Sequence, residues 1–328
     1  MAQHEIEIVA VDGEGGFWDD RDGLLTCLRE TPPRVPAYLG YDAIGSALFE
    51  AITELPGYYP TRVEFGLLQR HAEEIADLIG YPRIAELGSG SAKKTRLLLA
   101  ACLQRRPTSY LPIDVSREML ETSARELETE LPGLRVQGLW GRYEAGLGWL
   151  RDGKPEPVTV ALLGSNLGNT TPDERHGLLT EIATTLRPGD CFLVSADLQK
   201  PAEVLGACYN DPLDRSAFAQ FRLNHLTHLN RRFGADFALE YFYPRAHYDA
   251  TTTAVQAHLY ATEDQSVVLR ELDLELVLRR GDSLNAGFSY KFHRPQFVAD
   301  VSARGFDLSA QWIDPVWQYG IFLFVRSV

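Results

Sequence analysis

The sequence predicts an α/β fold: a Rossmann-like, doubly wound parallel sheet interrupted by an inserted α+β segment. Three observations predict it. Five short apolar runs, Arg83–Leu87 (RIAEL), Ser109–Asp114 (SYLPID), Arg135–Trp140 (RVQGLW), 158–164 (VTVALLG) and 191–198 (CFLVSADL), alternate with helical stretches such as 94–104 and Arg117–Glu130, the rhythm of parallel strands joined by crossover helices. A glycine-rich turn, Gly88-Ser89-Gly90, stands between the first run and its helix. From about 200 to 287 the rhythm stops, and a helix over 215–230 is followed by strand-like stretches.

Before the sheet, Gly13 to Gly16 and Pro32, Pro33 and Pro36 break any long periodic element, so the first residues read as an irregular arm. Ile44, Leu48, Ile52 and Leu55 recur at three- and four-residue steps and mark a helix over 42–55 that stops before Pro56. A second helix is expected over 63–78. Within the inserted segment Leu272, Leu274, Leu276 and Leu278 alternate with polar neighbours, as in a half-buried antiparallel strand. After it come a helix over 295–304 and strands over 308–312 and 319–325, the last two able to form a hairpin at a sheet edge. No internal repeat is visible.

The chain has 328 residues, of which 45% are apolar, enough for a sizeable packed core. No apolar run approaches the roughly 20 residues of a membrane span, and the start lacks the basic and apolar regions of a signal peptide. A cytoplasmic protein with no membrane partner is expected. Cys27, Cys102, Cys191 and Cys208 lie far apart without a C-x-x-C pair, so neither a disulfide framework nor a zinc knuckle is suggested. A formal charge of -13 repels phosphate backbones and argues against nucleic acid. A small molecule is the expected substrate.

Glu86-Leu87-Gly88-Ser89-Gly90-Ser91 closes the first strand and opens a helix: its glycines permit a tight turn and close ligand approach, and the helix start presents free N–H groups. That describes a nucleotide-cofactor loop, although a glycine-rich turn can also be purely structural. Lys93 stands where a dinucleotide fingerprint has its third glycine, and Asp114 ends the next strand, where an acid can accept hydrogen bonds from both ribose hydroxyls. The pattern favours S-adenosylmethionine over NAD. Asp114 could instead merely cap the following helix.

The strings Tyr41-Asp42-Ala43-Ile44-Gly45-Ser46, Leu55-Pro56-Gly57-Tyr58-Tyr59-Pro60-Thr61-Arg62, Glu86 to Gly90, and Leu163-Gly164-Ser165-Asn166-Leu167-Gly168-Asn169 together resemble the histidine Nα-methyltransferases of ergothioneine biosynthesis. The likeness runs from about Tyr41 to the C-terminus, and the YYPTR and LGS-x-x-GN strings are more specific than the glycine loop. It implies an S-adenosylmethionine-dependent amino acid N-methyltransferase that makes a trimethylated betaine. After the arm, taken as 1–35, it implies a substrate-binding domain (36–62 and 200–287) and a methyltransferase domain (63–199 and 288–328). Tyr41, Gly88, Ser89, Gly90, Lys94 and Asp114 match cofactor positions. Tyr58, Asn169 and Tyr209 match those that bind the amine and carboxylate of the amino acid, with Tyr58 and Asn169 as the catalytic pair.

The family pattern breaks in two places. Histidine-specific members carry Glu in a Glu-x-Ser-x-Lys-Phe string, whereas this chain has Gly287-Phe288-Ser289-Tyr290-Lys291-Phe292, and a methionine expected beside the same ring is replaced by Ala257. Both changes remove volume, and loss of the carboxylate removes an acceptor for the imidazole N–H, so a larger, more apolar pocket is expected, with Ser289 retained. Tryptophan or another bulky aromatic amino acid is the first substrate expected; histidine, with another residue supplying the acceptor, is the alternative. The second departure is Gly141-Arg142-Tyr143, where related domains place an acid that contacts the adenine amino group. Arg142 cannot accept that bond, so it and Tyr143 are carried as cofactor residues with a backbone carbonyl as the acceptor.

Methyl transfer needs a neutral amine aligned behind the sulfonium methyl and requires no metal. Tyr58 can accept a hydrogen bond from the amine and Asn169 can orient it, while aromatic rings tolerate the growing charge of a methylated ammonium. Tyr58 or Tyr59 could also be ordinary core aromatics. His225 and His228, three apart on a helix, lack a third ligand and read as a solvated face. The rival readings are a non-catalytic adenosylmethionine-binding protein and a nicotinamide oxidoreductase; the number of methyl groups and the oligomeric state are left open.

Overall fold

A computed structural model describes residues 6–80, 83–153, 156–210 and 216–327. In chain order the first elements are β1 (Glu7–Ala10), α1 (Arg21–Leu28), α2 (Ala43–Thr53), α3 (Tyr59–Ile79), β2 (Arg83–Leu87), α4 (Thr95–Leu103), β3 (Ser109–Asp114), α5 (Arg117–Glu130), β4 (Arg135–Trp140), α6 (Tyr143–Asp152) and β5 (Thr159–Leu162). Next come α7 (Pro172–Thr185), β6 (Cys191–Asp197), α8 (Ala202–Tyr209), α9 (Ala217–Phe233), β7 (Phe242–Asp249), β8 (Ala254–Ala261) and β9 (Gln265–Leu269). The last are β10 (Leu274–Leu278), β11 (Ser283–Tyr290), α10 (Arg294–Ser302), β12 (Phe306–Asp314) and β13 (Tyr319–Arg326). The chain divides into two compact units: Met1–Gly15, Tyr59–Gln199 and Lys291–Val328 form the first, Gly16–Tyr58 and Lys200–Tyr290 the second.

The first unit is built on an eight-stranded sheet in the order β1-β4-β3-β2-β5-β6-β13-β12. β1 through β6 run parallel, whereas β13 is antiparallel to β6 and β12 is antiparallel to β13. The order turns around β2, so β3 lies on one side of the glycine loop and β5 on the other, and ligands of such sheets bind outside the carboxyl ends of the strands at that switch point. Every residue of β5 and β6 is buried, which is why these strands read as near-continuous apolar runs. Phe192, Phe297, Phe322 and Phe324 fill the core with Leu162, Val194 and Ile113. Local signals fix the helices. Pro60 enters the first turn of α3, and α7 begins with a reciprocal capping box between Thr171 and Glu174.

The expected hairpin is present, with longer strands than the sequence indicated. The irregular arm is corrected: Glu7–Ala10 forms a strand that pairs in parallel with Gln137 to Trp140 and extends the sheet beyond β4. Ile8 reaches to within 2.4 Å of the place a Cβ on Gly138 would take, so a glycine opposite makes room for it. Four residues of strand are too short to register as periodicity beside the glycines that follow.

The second unit contains a three-stranded antiparallel sheet, β11-β8-β7, and a two-stranded one, β10-β9. Leu24, Leu28, Leu39, Leu226, Leu229, Phe233, Leu259 and Leu284 share one buried cluster, so residues 16–35 pack into this unit and are likewise no arm. Asp42 caps α2 by accepting from Gly45 N–H (2.9 Å) and also takes Asn224 Nδ2 (2.8 Å) and Arg231 Nη2 (2.6 Å), tying that helix to α9. Leu272 lies in a short 3-10 turn ahead of β10, where the predicted alternation holds: Leu276 and Leu278 are buried, Glu275 and Val277 exposed.

Candidate active site

β2 delivers the chain into a turn that its glycines make possible. Gly88 (φ +73°) and Gly90 (φ +50°) sit in backbone regions that favour glycine. A Cβ on Gly88 would lie 2.4 Å from Tyr143 Oη and 3.0 Å from Asn166 Nδ2. Beside Gly90 nothing lies within 4 Å of such an atom, so the loop is tightly walled on one side and open on the other. Asp114, at the end of β3, accepts from Gly90 N–H through Oδ2 (3.0 Å) and from Ser116 N–H through Oδ1 (2.9 Å). The cap of α5 is Ser116, which accepts from Met119 N–H, so Asp114 belongs to the glycine loop rather than to the helix start. Burial pushes the Asp114 carboxyl above its ordinary pKa against the pull of these N–H groups. An open glycine turn with an acid one strand over suits a ribose-bearing cofactor.

Lys94 precedes α4, and its ammonium meets Glu64, a fully buried carboxylate on α3. Glu64 Oε1 also accepts from Gly164 N–H (2.8 Å) and from Tyr319 Oη (3.1 Å). Burial alone would raise the Glu64 carboxyl; the Lys94 charge and the donors around it outweigh that and hold it below the ordinary range. One buried acid thus ties the cofactor loop to the LGS-x-x-GN segment, where Asn169 Nδ2 donates to Asn166 Oδ1 (3.4 Å). Lys94, Gly88, Tyr143, Asn166 and Asn169 are therefore joined through direct neighbours. Sequence reading missed Glu64. Its signal was a carboxylate on a helix face otherwise apolar, between Val63 and Leu67.

Arg142 is paired within the protein. Asp12, just past β1, grips its backbone N–H (3.2 Å), Nε (2.7 Å) and Nη2 (3.2 Å) in a two-pronged pair. An acid therefore does stand beside the loop after β4, contributed by the segment read as an arm. Tyr59 joins the core: it stacks on Trp317 at 4.8 Å and donates to Asp197 (2.6 Å), which also pairs with the buried Lys291 (2.8 Å).

In the second unit, Tyr58 meets Tyr209 edge-on at 6.1 Å and Phe218 at 5.6 Å. The Tyr209 hydroxyl and Ser289 Oγ are hydrogen-bonded at 2.8 Å. Gly287 and Ala257 are register partners across β11 and β8, and Ala246 faces Ala257 from β7, so three small residues cross the sheet in one row. Ser289, two positions on, shares their face. Gly287 has φ +140°, follows a β-bulge, and has nothing within 4 Å of where its Cβ would be. Tyr41 lies in this unit too, against Phe49 and Phe221 rather than in the Tyr58 cluster.

His225 and His228 do not form a solvated face. Both are buried: His225 Nδ1 lies 3.2 Å from the Phe221 carbonyl and His228 Nδ1 2.7 Å from that of Leu39. Burial lowers His225 to about 4, which keeps it neutral. Among the described residues no cluster of His, Cys, Asp and Glu could hold a metal, and no helix is long and apolar enough to cross a membrane. None of the four cysteines forms a disulfide.

Comparison with known proteins gives this geometry its chemical setting. A family model described as histidine-specific, SAM-dependent methyltransferase matches residues 20–326. A histidine N-alpha-methyltransferase of Mycolicibacterium smegmatis is 35% identical, the match covering 94% of each chain. The enzyme of the same name from Mycobacterium tuberculosis is also 35% identical, over 92% of this chain and 94% of its own. A 4-dimethylallyltryptophan N-methyltransferase of Epichloe festucae var. lolii is 27% identical, covering 89% of this chain and 91% of its own. The glycine turn, its acid and the LGS-x-x-GN segment are thus parts of an S-adenosylmethionine-dependent enzyme, and the chain belongs to the histidine-specific methyltransferase family.

Proposed function

We propose that the enzyme methylates the α-amino group of a bulky aromatic amino acid, tryptophan first, and carries the reaction on to the trimethylated betaine. The observation that carries this reading is the row Ala246, Ala257 and Gly287, with open space where a side chain on Gly287 would project. A pocket wall that lacks both volume and a carboxylate favours an apolar ring over imidazole. Support also comes from the fungal relative named for a prenylated tryptophan. Histidine is the second reading, favoured by the higher identity to the two mycobacterial enzymes.

In this reading S-adenosylmethionine supplies an electrophilic methyl on a sulfonium. Asp114 takes the ribose hydroxyls, Lys94 takes the methionyl carboxylate, and Tyr41 and Tyr143 line the cofactor. Tyr58 accepts a hydrogen bond from the substrate amine and Asn169 orients it, so that the neutral lone pair is presented. Tyr209, held by Ser289, completes the polar contacts, and the rings of Tyr58, Tyr209 and Phe218 accommodate the cation that builds up with each methyl group. Four cysteines outside any disulfide support a cytoplasmic location.

The test is incubation with S-adenosylmethionine and each of the twenty amino acids, followed by mass spectrometry for one, two or three added methyl groups. A trimethylated aromatic amino acid is expected. Histidine as the preferred substrate would refute the aromatic reading.

A further inference from the structure

Arg222, on α9, is a buried cation whose charge no carboxylate among the described residues neutralises. It is 5% exposed. Its Nη2 donates to the Tyr209 carbonyl at 2.7 Å, and its guanidinium lies over the Phe218 ring at 5.2 Å. Among the described residues no carboxylate reaches it. The contrast within the same unit is sharp: Arg231, Arg232, Arg270 and Arg279, all more exposed, pair with Asp42, Asp19, Asp236 and Asp264. Burial brings the Arg222 pKa down to about 10, which still leaves it charged at neutral pH. A desolvated charge without a counter-ion is costly, and five N–H donors with one acceptor among the described residues leave most of the fork unused. Such a site is complete only with an anion.

The two residues that hold the guanidinium are those that Tyr58 meets edge-on, and Tyr209 carries the bond to Ser289. We propose that Arg222 is a specificity residue that binds a carboxylate of the substrate at the edge of the Tyr58–Tyr209–Phe218 cluster. This rests on reading the second unit as the amino acid site, but not on which side chain the amino acid carries. The α-carboxylate is one source; a side-chain carboxylate is the other.

The experiment is calorimetric titration of the full chain, saturated with S-adenosylhomocysteine, with tryptophan and tryptophanamide and with histidine and histidinamide, on wild type, Arg222→Met and Arg222→Lys. Wild type should bind the acid of the preferred pair about 30-fold more tightly than the amide, as charge-assisted bonds allow. Arg222→Met should bring the two within about 3-fold by weakening only the acid, and Arg222→Lys should keep part of the difference. Without ligand, Arg222→Met should melt higher than wild type, because an unpaired buried charge is gone, whereas a purely structural arginine would lower the Tm and affect acid and amide alike. An unchanged ratio of acid to amide in Arg222→Met, or no preference for the acid in wild type with either pair, overturns the α-carboxylate. Glutamate and glutamine then supply the last arm: Arg222-dependent preference for glutamate assigns the subsite to a side-chain carboxylate, and its absence overturns the proposal. If the histidine pair binds and the tryptophan pair does not, the aromatic reading fails while Arg222 is still tested.

Discussion

Glu86→Gln should stabilise the protein, and more so as the pH rises. Glu86 is the penultimate residue of β2, two positions before Gly88, is 3% exposed, and has its two oxygens bonded by Tyr110 and, at 2.8 Å, by Thr95. Burial pushes its carboxyl from 4.5 up to about 7; the hydroxyls of Tyr110 and Thr95 and the charge of Lys94 oppose that rise, and nearby Glu64 adds to it. A carboxyl whose pKa is raised on folding contributes most favourably below its unfolded pKa. That contribution falls through the window from 4.5 to 7, and above it the folded state carries a buried anion. At about 1.4 kcal/mol per pH unit the full penalty is about 3 kcal/mol above pH 7, of which roughly 2 kcal/mol develops between about pH 5.5 and pH 8.5. Glutamine keeps the shape, and rotation of the two hydroxyls lets one accept from its amide. Urea unfolding of wild type and Glu86→Gln at these two pH values should therefore show a stability difference about 2 kcal/mol larger at the higher pH. A difference that does not change with pH, or one that favours wild type more in alkali, would refute the reasoning.

Three further outcomes follow from the site. Gly88→Ala sets a Cβ against Tyr143 Oη at a φ of +73°, and calorimetry should show S-adenosylhomocysteine affinity falling by at least about tenfold. Lys94→Met leaves the fully buried Glu64 without its counter-ion, so chemical unfolding should report a loss of about 3–5 kcal/mol. That loss should shrink as the pH falls and the carboxyl takes up a proton; a loss equal at all pH values would mean that packing, not charge, was removed. Gly287→Glu should move product ratios towards methylated histidine, at a folding cost of about 1–3 kcal/mol because the φ of +140° suits glycine; unchanged preference in a folded, active variant sinks the explanation of specificity.

The sequence exposed those parts of the fold that are buried on both faces or punctuated by glycine. β5 and β6 read as near-continuous apolar runs because every residue in them is buried, and the loop after β2 was legible because positive φ at Gly88 and Gly90 demands glycine. Periodicity examines one element at a time, so partners that the fold brings together from afar stay invisible. Lys94 and Glu64 are 30 residues apart, and Arg142 and Asp12 are 130 apart. Asp12, of the second pair, also lay in a segment whose glycines argued for irregular chain.

A polar residue on an apolar helix face admits two readings, solvated surface or buried function, and the composition of the helix alone does not choose between them. For His225 and His228 the first reading was wrong. Glu64 and Arg222 show the same ambiguity from the other side, each a charge on a helix whose neighbours are apolar and each buried in the fold. Glu64 finds its cation at Lys94 within the protein, which makes it a clamp. Arg222 finds none among the described residues, and a buried charge left in that state is costly unless a ligand completes it. Whether a buried charge finds its counter-ion inside the fold is a property of the folded chain that residue spacing cannot carry.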